Sequence, residues 1–314
     1  MPRVTAVVPT HNRSRLLART LRTLLWQRDV DFEVVVVDDG SADDTAEMIA
    51  AMDDPRLRVV RHDHPQGVAN ARNRGVSEAR GRWVAFCDDD DLWAPDKLAS
   101  QLEAADRSGC GWVYTGAVQI ADDLRVLGGR PPPPPRELRS AVRRFNAVPG
   151  GGSGVLVHVD PLRRSGGFDA RLFNTEDWDL WIRLADLGGP AWVPRPLVAY
   201  RVHGGNASLV VREILAGTSL IEGKHRLRAD RGVIYRAVAE SLLRSGRRAD
   251  AVRYLALAAA HGNVPGVVDD LRVAVARRLR RHLPRSMRSP EQPRHQRWVD
   301  EADAWLAPLR QSLV

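Results

Sequence analysis

Apolar and polar positions alternate in blocks along the first 120 residues. Val4-Thr5-Ala6-Val7-Val8 is a short apolar, β-branched run that predicts a strand, broken by Pro9 to Arg13. Leu16, Leu17, Thr20, Leu21, Leu24 and Leu25 then recur at helical spacing, with Ser14 placed to cap that helix. Phe32 to Val37 is apolar but for one glutamate, as a strand covered on both faces would be, and it ends in Asp38-Asp39-Gly40-Ser41. The pattern continues as a helix over 43–52, a strand over 57–61, a helix over 68–79 and a strand over 83–87. Such alternation with short connections predicts an α/β fold with a mainly parallel, doubly wound sheet and ligands at the carboxyl ends of its strands.

Further on, the runs 111–119 and 154–158 extend the sheet. Between them Arg130 to Arg136 encloses five consecutive prolines, stiff and unable to join a sheet interior, which predicts a surface loop. Gly150 to Gly154 reads as a flexible hinge. Asn174 to Leu184 opens with acidic residues that suit a first helical turn, with Thr175 or Asn174 as cap and with Trp178 and Trp181 facing inward. A short strand is expected over 198–201. After Ser208 the composition turns to alanine, leucine and arginine, and helices are expected over 208–228, 232–244, 248–261 and 267–282. Along the last of these and just past it, Leu271, Val275, Leu279 and Leu283 stand opposite Arg272, Arg277, Arg280 and Arg281, either an interfacial helix or the solvated face of a packed one. Trp298 and Trp305 mark a docking helix or a loosely held tail. Two regions follow: residues 1–206, divided near 120, and a helical region 207–314.

Charge sharpens that division. From Asn206 onward there are 20 Lys and Arg against 11 Asp and Glu, while the first 205 residues hold 27 against 28. The basic excess therefore lies in the last third and suits an anionic partner. Two cysteines, Cys87 and Cys110, form no disulfide framework and suit a reducing compartment. Met1 to Val8 enters a strand pattern at once, leaving no room for a signal peptide, and no apolar run approaches the length of a bilayer span. The expected location is cytoplasmic.

The stretch with the clearest chemistry is Trp83-Val84-Ala85-Phe86-Cys87-Asp88-Asp89-Asp90-Asp91, an apolar strand running into four aspartates. Like charges at a buried strand end repel one another and resist desolvation, so a counter-ion such as a divalent cation is expected. Hard cations take oxygen ligands, and Asp88 and Asp90, two apart on extended chain, read as a metal-gripping pair. An acidic turn ahead of a helix beginning at Pro95 accounts for one or two of them. No glycine-rich phosphate loop follows the first strand, which argues against a dinucleotide oxidoreductase and a phosphate-loop nucleotidase.

Val7-Val8-Pro9-Thr10-His11-Asn12-Arg13, Val36-Val37-Asp38-Asp39-Gly40-Ser41, Ala71-Arg72-Asn73-Arg74-Gly75 and Asp88 to Asp91, followed by Gly166-Gly167-Phe168-Asp169, Glu176-Asp177-Trp178-Asp179 and Arg201-Val202-His203, together resemble the family 2 glycosyltransferases, enzymes of the GT-A fold. The resemblance covers roughly residues 3 to 206 and implies a nucleotide-sugar half over about 1–120 and an acceptor half over about 121–206. It implies an inverting transferase that moves a sugar from a UDP- or dTDP-sugar to a glycan or lipid-linked acceptor in cell-surface polysaccharide synthesis, with Mg2+ or Mn2+ bridging the diphosphate to the aspartates. Carried over by position, it puts Pro9 and His11 beside the base, Asp39 on base or ribose, Arg72 near the donor, Asp88 and Asp90 at the ribose and the metal, and Asp89 next to them in the nucleotide-sugar site. It further implies Asp177 as general base, Glu176 as the residue orienting the acceptor, His203 as a candidate for the metal or the leaving phosphate, and the proline loop as part of the acceptor edge or a mere spacer. The basic helices would then meet anionic membrane at the inner face of the plasma membrane, not nucleic acid. The rival reading is a non-catalytic nucleotide-sugar-binding scaffold of a polysaccharide assembly complex.

Overall fold

A computed structural model describes residues 1–203, 210–268 and 293–311. Among the described residues nine strands form one sheet: β1 (Val4–Thr10), β2 (Phe32–Asp38), β3 (Leu57–Arg61), β4 (Trp83–Phe86), β5 (Leu92–Trp93), β6 (Trp112–Ile120), β7 (Val126–Arg130), β8 (Val155–His158) and β9 (Ala191–Arg201). Their order is 3-2-1-4-8-6-9-5, with β7 paired to β6. The first half, β3-β2-β1-β4, is parallel throughout. Beyond β4 the sheet is mixed, because β8 runs antiparallel to both β4 and β6 while β6 and β9 are parallel. This is an α/β architecture of the GT-A type.

Why β1 and β2 sit centrally follows from their residues. Every position of both strands is buried. On one face Val4, Ala6 and Val8 pack with Leu17, Leu21 and Leu24 of α1 (Ser14–Leu25), and on the other Val7 packs with Ala69 of α3 (Val68–Glu78). Helix α3 lies so close that a Cβ at Gly75 would stand 2.2 Å from Val7 Cγ1, which accounts for the glycine there. Ser14 does not cap α1 as its position suggested. It is the first helical residue, its N–H donates to Asp43 and its hydroxyl to Asp44, so the helix start is held by the loop after β2. Asn12 ties the same two loops, its backbone N–H donating to Ser41 Oγ and its side-chain Oδ1 accepting from the Ala42 N–H.

The second half corrects several expectations. Gly151–Gly154 is a tight 3-10 turn instead of a loose hinge, and a Cβ at Gly154 would lie 2.4 Å from the Pro149 carbonyl. Strand β9 begins at Ala191 and passes through Pro194 and Pro196, seven residues before the expected start. The proline run ends inside α5 (Pro135–Val142), which starts at the fifth proline. Helix α7 (Glu176–Leu187) has no side-chain cap from Thr175, and Asn174 donates instead to Glu213. Trp178 and Trp181 are buried, as their spacing predicted.

The C-terminal helices α8 (Val211–His225), α9 (Arg231–Arg244) and α10 (Arg248–Ala260) follow. Helix α8 lies on α7, where Asp179 accepts from Lys224, His225 and Arg183. Against the upward push of burial, His225 and Lys224 hold Asp179 at about 2. The expected amphipathic helix over 267–282 falls almost wholly outside the described residues. A last helix, α11 (Pro293–Gln311), docks on the sheet: Trp298 Nε1 donates to Ala117 O at 3.4 Å and Trp305 Nε1 to Pro196 O at 3.1 Å. Among the described residues no helix is long and apolar enough to cross a membrane.

Candidate active site

A cleft of about 1270 Å³ opens at the carboxyl ends of β1, β2 and β4. Pro9, His11, Asp39, Arg72, Asp88, Asp89, Asp90, Glu176 and Asp177 all line it. His203 joins through Asp90, with Nε2 at 2.9 Å from Oδ2. Residues from opposite ends of the transferase-like region thus meet at one place.

On the first wall Asp39 is buried at the end of β2. Its Oδ1 accepts from His62 Nδ1 at 2.7 Å and the Gln66 N–H at 2.9 Å, and its Oδ2 from the Gly67 N–H at 2.8 Å. Against burial, which raises it, these bonds hold the Asp39 carboxyl below its ordinary value. Both oxygens therefore organise the 62–67 loop, whose Gln66 and Gly67 also line the cleft. Gly40, at φ 74°, allows that approach, because a Cβ there would stand 2.9 Å from Pro65 N. His11 is exposed and donates from Nδ1 to Asp39 O at 2.9 Å.

The four aspartates differ in their partners. Asp88 Oδ1 pairs with Arg72 Nη2 at 2.5 Å, and its N–H donates to Ser153 Oγ. Arg13 Nη1 bridges Asp89 and Asp90, at 3.0 Å to each, and Thr10 Oγ1 donates to Asp89 at 2.8 Å. Burial, followed by repulsion from Asp90, still pushes Asp89 up to about 7. Asp91 is fully buried and accepts from the Arg201 N–H, and burial with Asp90 and Asp88 beside it drives its carboxyl well up.

On the opposite wall Asp177 stands at the start of α7. Asn146 Nδ2 donates to both of its oxygens, at 3.2 and 3.1 Å, and the Trp178 N–H to Oδ1 at 2.6 Å. Desolvation in the cleft wall, followed by repulsion from Glu176, pushes Asp177 up to about 7. Glu176 is buried, with Oε1 2.6 Å from Arg72 Nη1 and Oε2 without a hydrogen-bond partner. Arg72, which helical position alone would assign to solvent, is 3% exposed and joins the two walls.

Several cleft residues carry no signal in the sequence on their own. Asn146 sits in a loop without a motif, Arg13 reads as a turn residue, and the proline loop supplies Pro131 to Pro133 to the lining. Helices α8 and α9 contribute Ile214, Ile234 and Val238 from beyond the region of resemblance.

For a divalent cation the donor set is partly assembled. Among the described residues no group of three or more ligating side chains converges as a metal site. Asp88, Asp90 and His203 nevertheless offer carboxylate oxygens and one imidazole, and that chemistry fits a dication whose other ligands would come from a diphosphate.

The chain belongs to glycosyl transferase family 2, whose sequence model matches residues 5–166. Among curated relatives, the succinoglycan biosynthesis protein ExoO of Rhizobium meliloti (strain 1021) is 45% identical over 127 residues, 40% of this chain and 36% of that protein. The chain therefore spans about a third of that relative's length. WfaP of Escherichia coli, a UDP-Glc:alpha-D-GlcNAc-diphosphoundecaprenol beta-1,3-glucosyltransferase, is 26% identical over 211 residues, 66% of this chain and 80% of that protein. Among solved structures, the mannosyltransferase PcManGT of Pyrobaculum calidifontis, in complex with GDP-Man and Mn2+, superposes with a TM-score of 0.55 at 21% identity, covering 99% of this chain and 87% of that one. The likeness is one of fold.

Proposed function

We propose that this chain is an inverting glycosyltransferase of cell-surface polysaccharide or glycoconjugate synthesis, which moves a sugar from a UDP- or dTDP-sugar to a hydroxyl of a glycan or lipid-linked acceptor. The observation that carries the reading is the pairing, across one cleft, of the aspartate cluster at the end of β4 with a carboxylate, Asp177, pushed up to about 7. A general base works best with a pKa near the working pH.

Pro9, His11 and Asp39 form the base and ribose end of the donor site, with Asp88, Asp89 and Arg72 next to the diphosphate. Asp88 and Asp90, with His203 beside them, would hold Mg2+ or Mn2+, which when bound neutralises the charge developing on the departing diphosphate. Asp177 takes the proton of the attacking hydroxyl, and Asn146, donating to both of its oxygens, fixes the carboxylate's orientation. Glu176 Oε2, buried with no donor, is free to accept from the acceptor and orient it. Metal and base on opposite walls suit departure from one face of the sugar and attack on the other, the geometry of inversion.

The unit carrying the chemistry is residues 1–206. The basic region after it brings the enzyme to anionic membrane, by contacts that weaken as salt rises. Calorimetric titration of UDP in Mn2+ and in chelator tests the donor site. Tight binding only with metal, lost in Asp90→Ala with little change in stability, is expected; equal affinity with and without metal would overturn the metal role.

A further inference from the structure

Helix α8 lies beyond the stretch that the family 2 sequence model matches, yet it grips the wall carrying Asp177 along its whole length. In its first turn Glu213 Oε2 accepts from Asn174 Nδ2 at 2.6 Å, and Asn174, two residues before Glu176, stands in the left-handed region at φ 61°. One turn on, Gly217 lies against Thr175, where a Cβ would stand 2.2 Å from Oγ1. Glycine weakens a helix interior relative to alanine, and this close approach accounts for it. In the last turn Lys224 Nζ and His225 Nε2 reach Asp179 Oδ1 at 2.9 and 2.7 Å, on a carboxylate wholly out of solvent two residues past Asp177. Just after the helix the Asp230 N–H donates to Arg144 O at 2.7 Å, and the Asp230 carboxylate accepts from Arg144 Nη2 at 2.5 Å. Arg144 is two residues before Asn146.

Resting on the transferase reading above, we propose that α8 is the splint of the active site, with Glu213 and Gly217 as positioning residues that seat the start of α7, and with it Asp177, in the cleft wall. Asp177 has two supports, the first turn of α7 and the Asn146 amide. Both are tied to the same helix and the turn after it. A helix that only tethered the enzyme to a surface would need none of these contacts. Glu213 is not among the residues lining the cleft, so it acts through Asn174, which is. The groups that meet the reactants thus lie before residue 206, and what sets the place of Asp177 lies after it. That place matters, because a reacting group misplaced by about 1 Å loses on the order of 10²-fold in rate.

The test reads the ionisation of Asp177 in the full-length protein, by urea unfolding with and without Asp177→Asn at a series of pH values. The stability gained by Asp177→Asn grows as pH rises from about 4, where the unfolded carboxyl ionises, and levels off at the folded pKa, about 7. The charged groups facing Asp177 are Glu176 beside it and Arg72 from α3, and burial is the largest cause of its elevation, so a seat that loosens admits water and brings the levelling point down. Glu213→Ala should lower that point by about one pH unit or more, and so should Gly217→Ala, which changes no charge. Glu213→Gln keeps an acceptor for Asn174 and should leave the point near 7. UDP affinity in Mn2+, measured on the same variants, should stay within about twofold, because α8 makes none of the contacts that hold the donor wall. An unmoved levelling point in both Glu213→Ala and Gly217→Ala would overturn the proposal, as would an equal fall in Glu213→Gln, the mark of charge alone. A fall accompanied by loss of UDP affinity would overturn it too, since α8 would then hold the whole cleft and not the seat of Asp177. Failure of UDP to bind the wild-type protein overturns the donor reading instead, so the two failures are distinguishable.

Discussion

Arg72 Nη1 lies 2.6 Å from Glu176 Oε1, a contact between residues 104 positions apart, in a side chain almost wholly out of solvent. Its other terminal nitrogen holds Asp88 on the far wall. One planar, permanently charged group thus fixes the distance between the aspartate cluster and the acidic start of α7, which a lysine's single ammonium does not reproduce.

Removing the bridge leaves the buried Glu176 and the half-buried Asp88 without their common cation. Arg72→Met is expected to destabilise the fold by about 3–5 kcal/mol, the usual result of breaking a buried pair from one side. Arg72→Met with Glu176→Gln should recover part of that loss, since the buried acid is then neutral. Denaturant unfolding of the three variants checks it; additive losses would deny the coupling.

The elevation of Asp177 to about 7 has two consequences of opposite use. For catalysis the base must be deprotonated, so kcat/KM should climb as pH rises through about 7. For stability, a carboxyl whose folded pKa lies above its unfolded value contributes fully at low pH and loses that contribution as pH rises through about 7. Asp177→Asn stays neutral and should therefore gain stability relative to wild type above neutrality, while the two proteins converge near pH 4. Thermal unfolding at pH 5, 7 and 9 tests the sign.

Trp298 fills a notch made by two glycines: a Cβ at Gly116 would come 2.3 Å from its Cζ2, and one at Gly129 2.6 Å from its Cδ1. The same indole lies beneath Ala117, a lining residue of the cleft, and donates to its carbonyl. Gly129→Ala should cost about 1–3 kcal/mol, the range for overpacking. In a Trp298→Ala background the same change should be nearly neutral. A double-mutant cycle by urea unfolding measures the coupling; equal costs in both backgrounds would mean that α11 does not sit in the notch.

Much of this was readable in the chain because its causes are local. β1 and β2 are continuous apolar runs ending in polar turns, and the aspartates stand where β4 stops, so the strands and the edge on which ligands gather follow from periodicity. What was not readable depends on partners distant in sequence. The first seven residues of β9 hide behind Pro194 and Pro196, tolerated at a register shift opposite Thr115 to Ala117. Gly151 to Gly154 looks loose by composition but is small because Arg72 and Pro149 press on it. Arg72 and Arg13 look like surface charges until the sheet brings carboxylates to them. The seven-residue spacing of Trp298 and Trp305 marked a helix face, yet its receiving notch is written elsewhere, at Gly116 and Gly129.

The central claim, that Asp177 is the base of a sugar transfer whose donor lies on the aspartate side, is tested most directly by Asp177→Asn, with transfer from UDP- and dTDP-sugars to an identified acceptor followed beside UDP affinity. Loss of the base is expected to lower turnover by roughly 10²- to 10⁴-fold while UDP binds as in wild type. Glu176→Gln should cost less in rate and more in acceptor KM. An Asp177→Asn enzyme that turns over at the wild-type rate, or a Glu176→Gln enzyme that is dead beside it, would contradict the assignment.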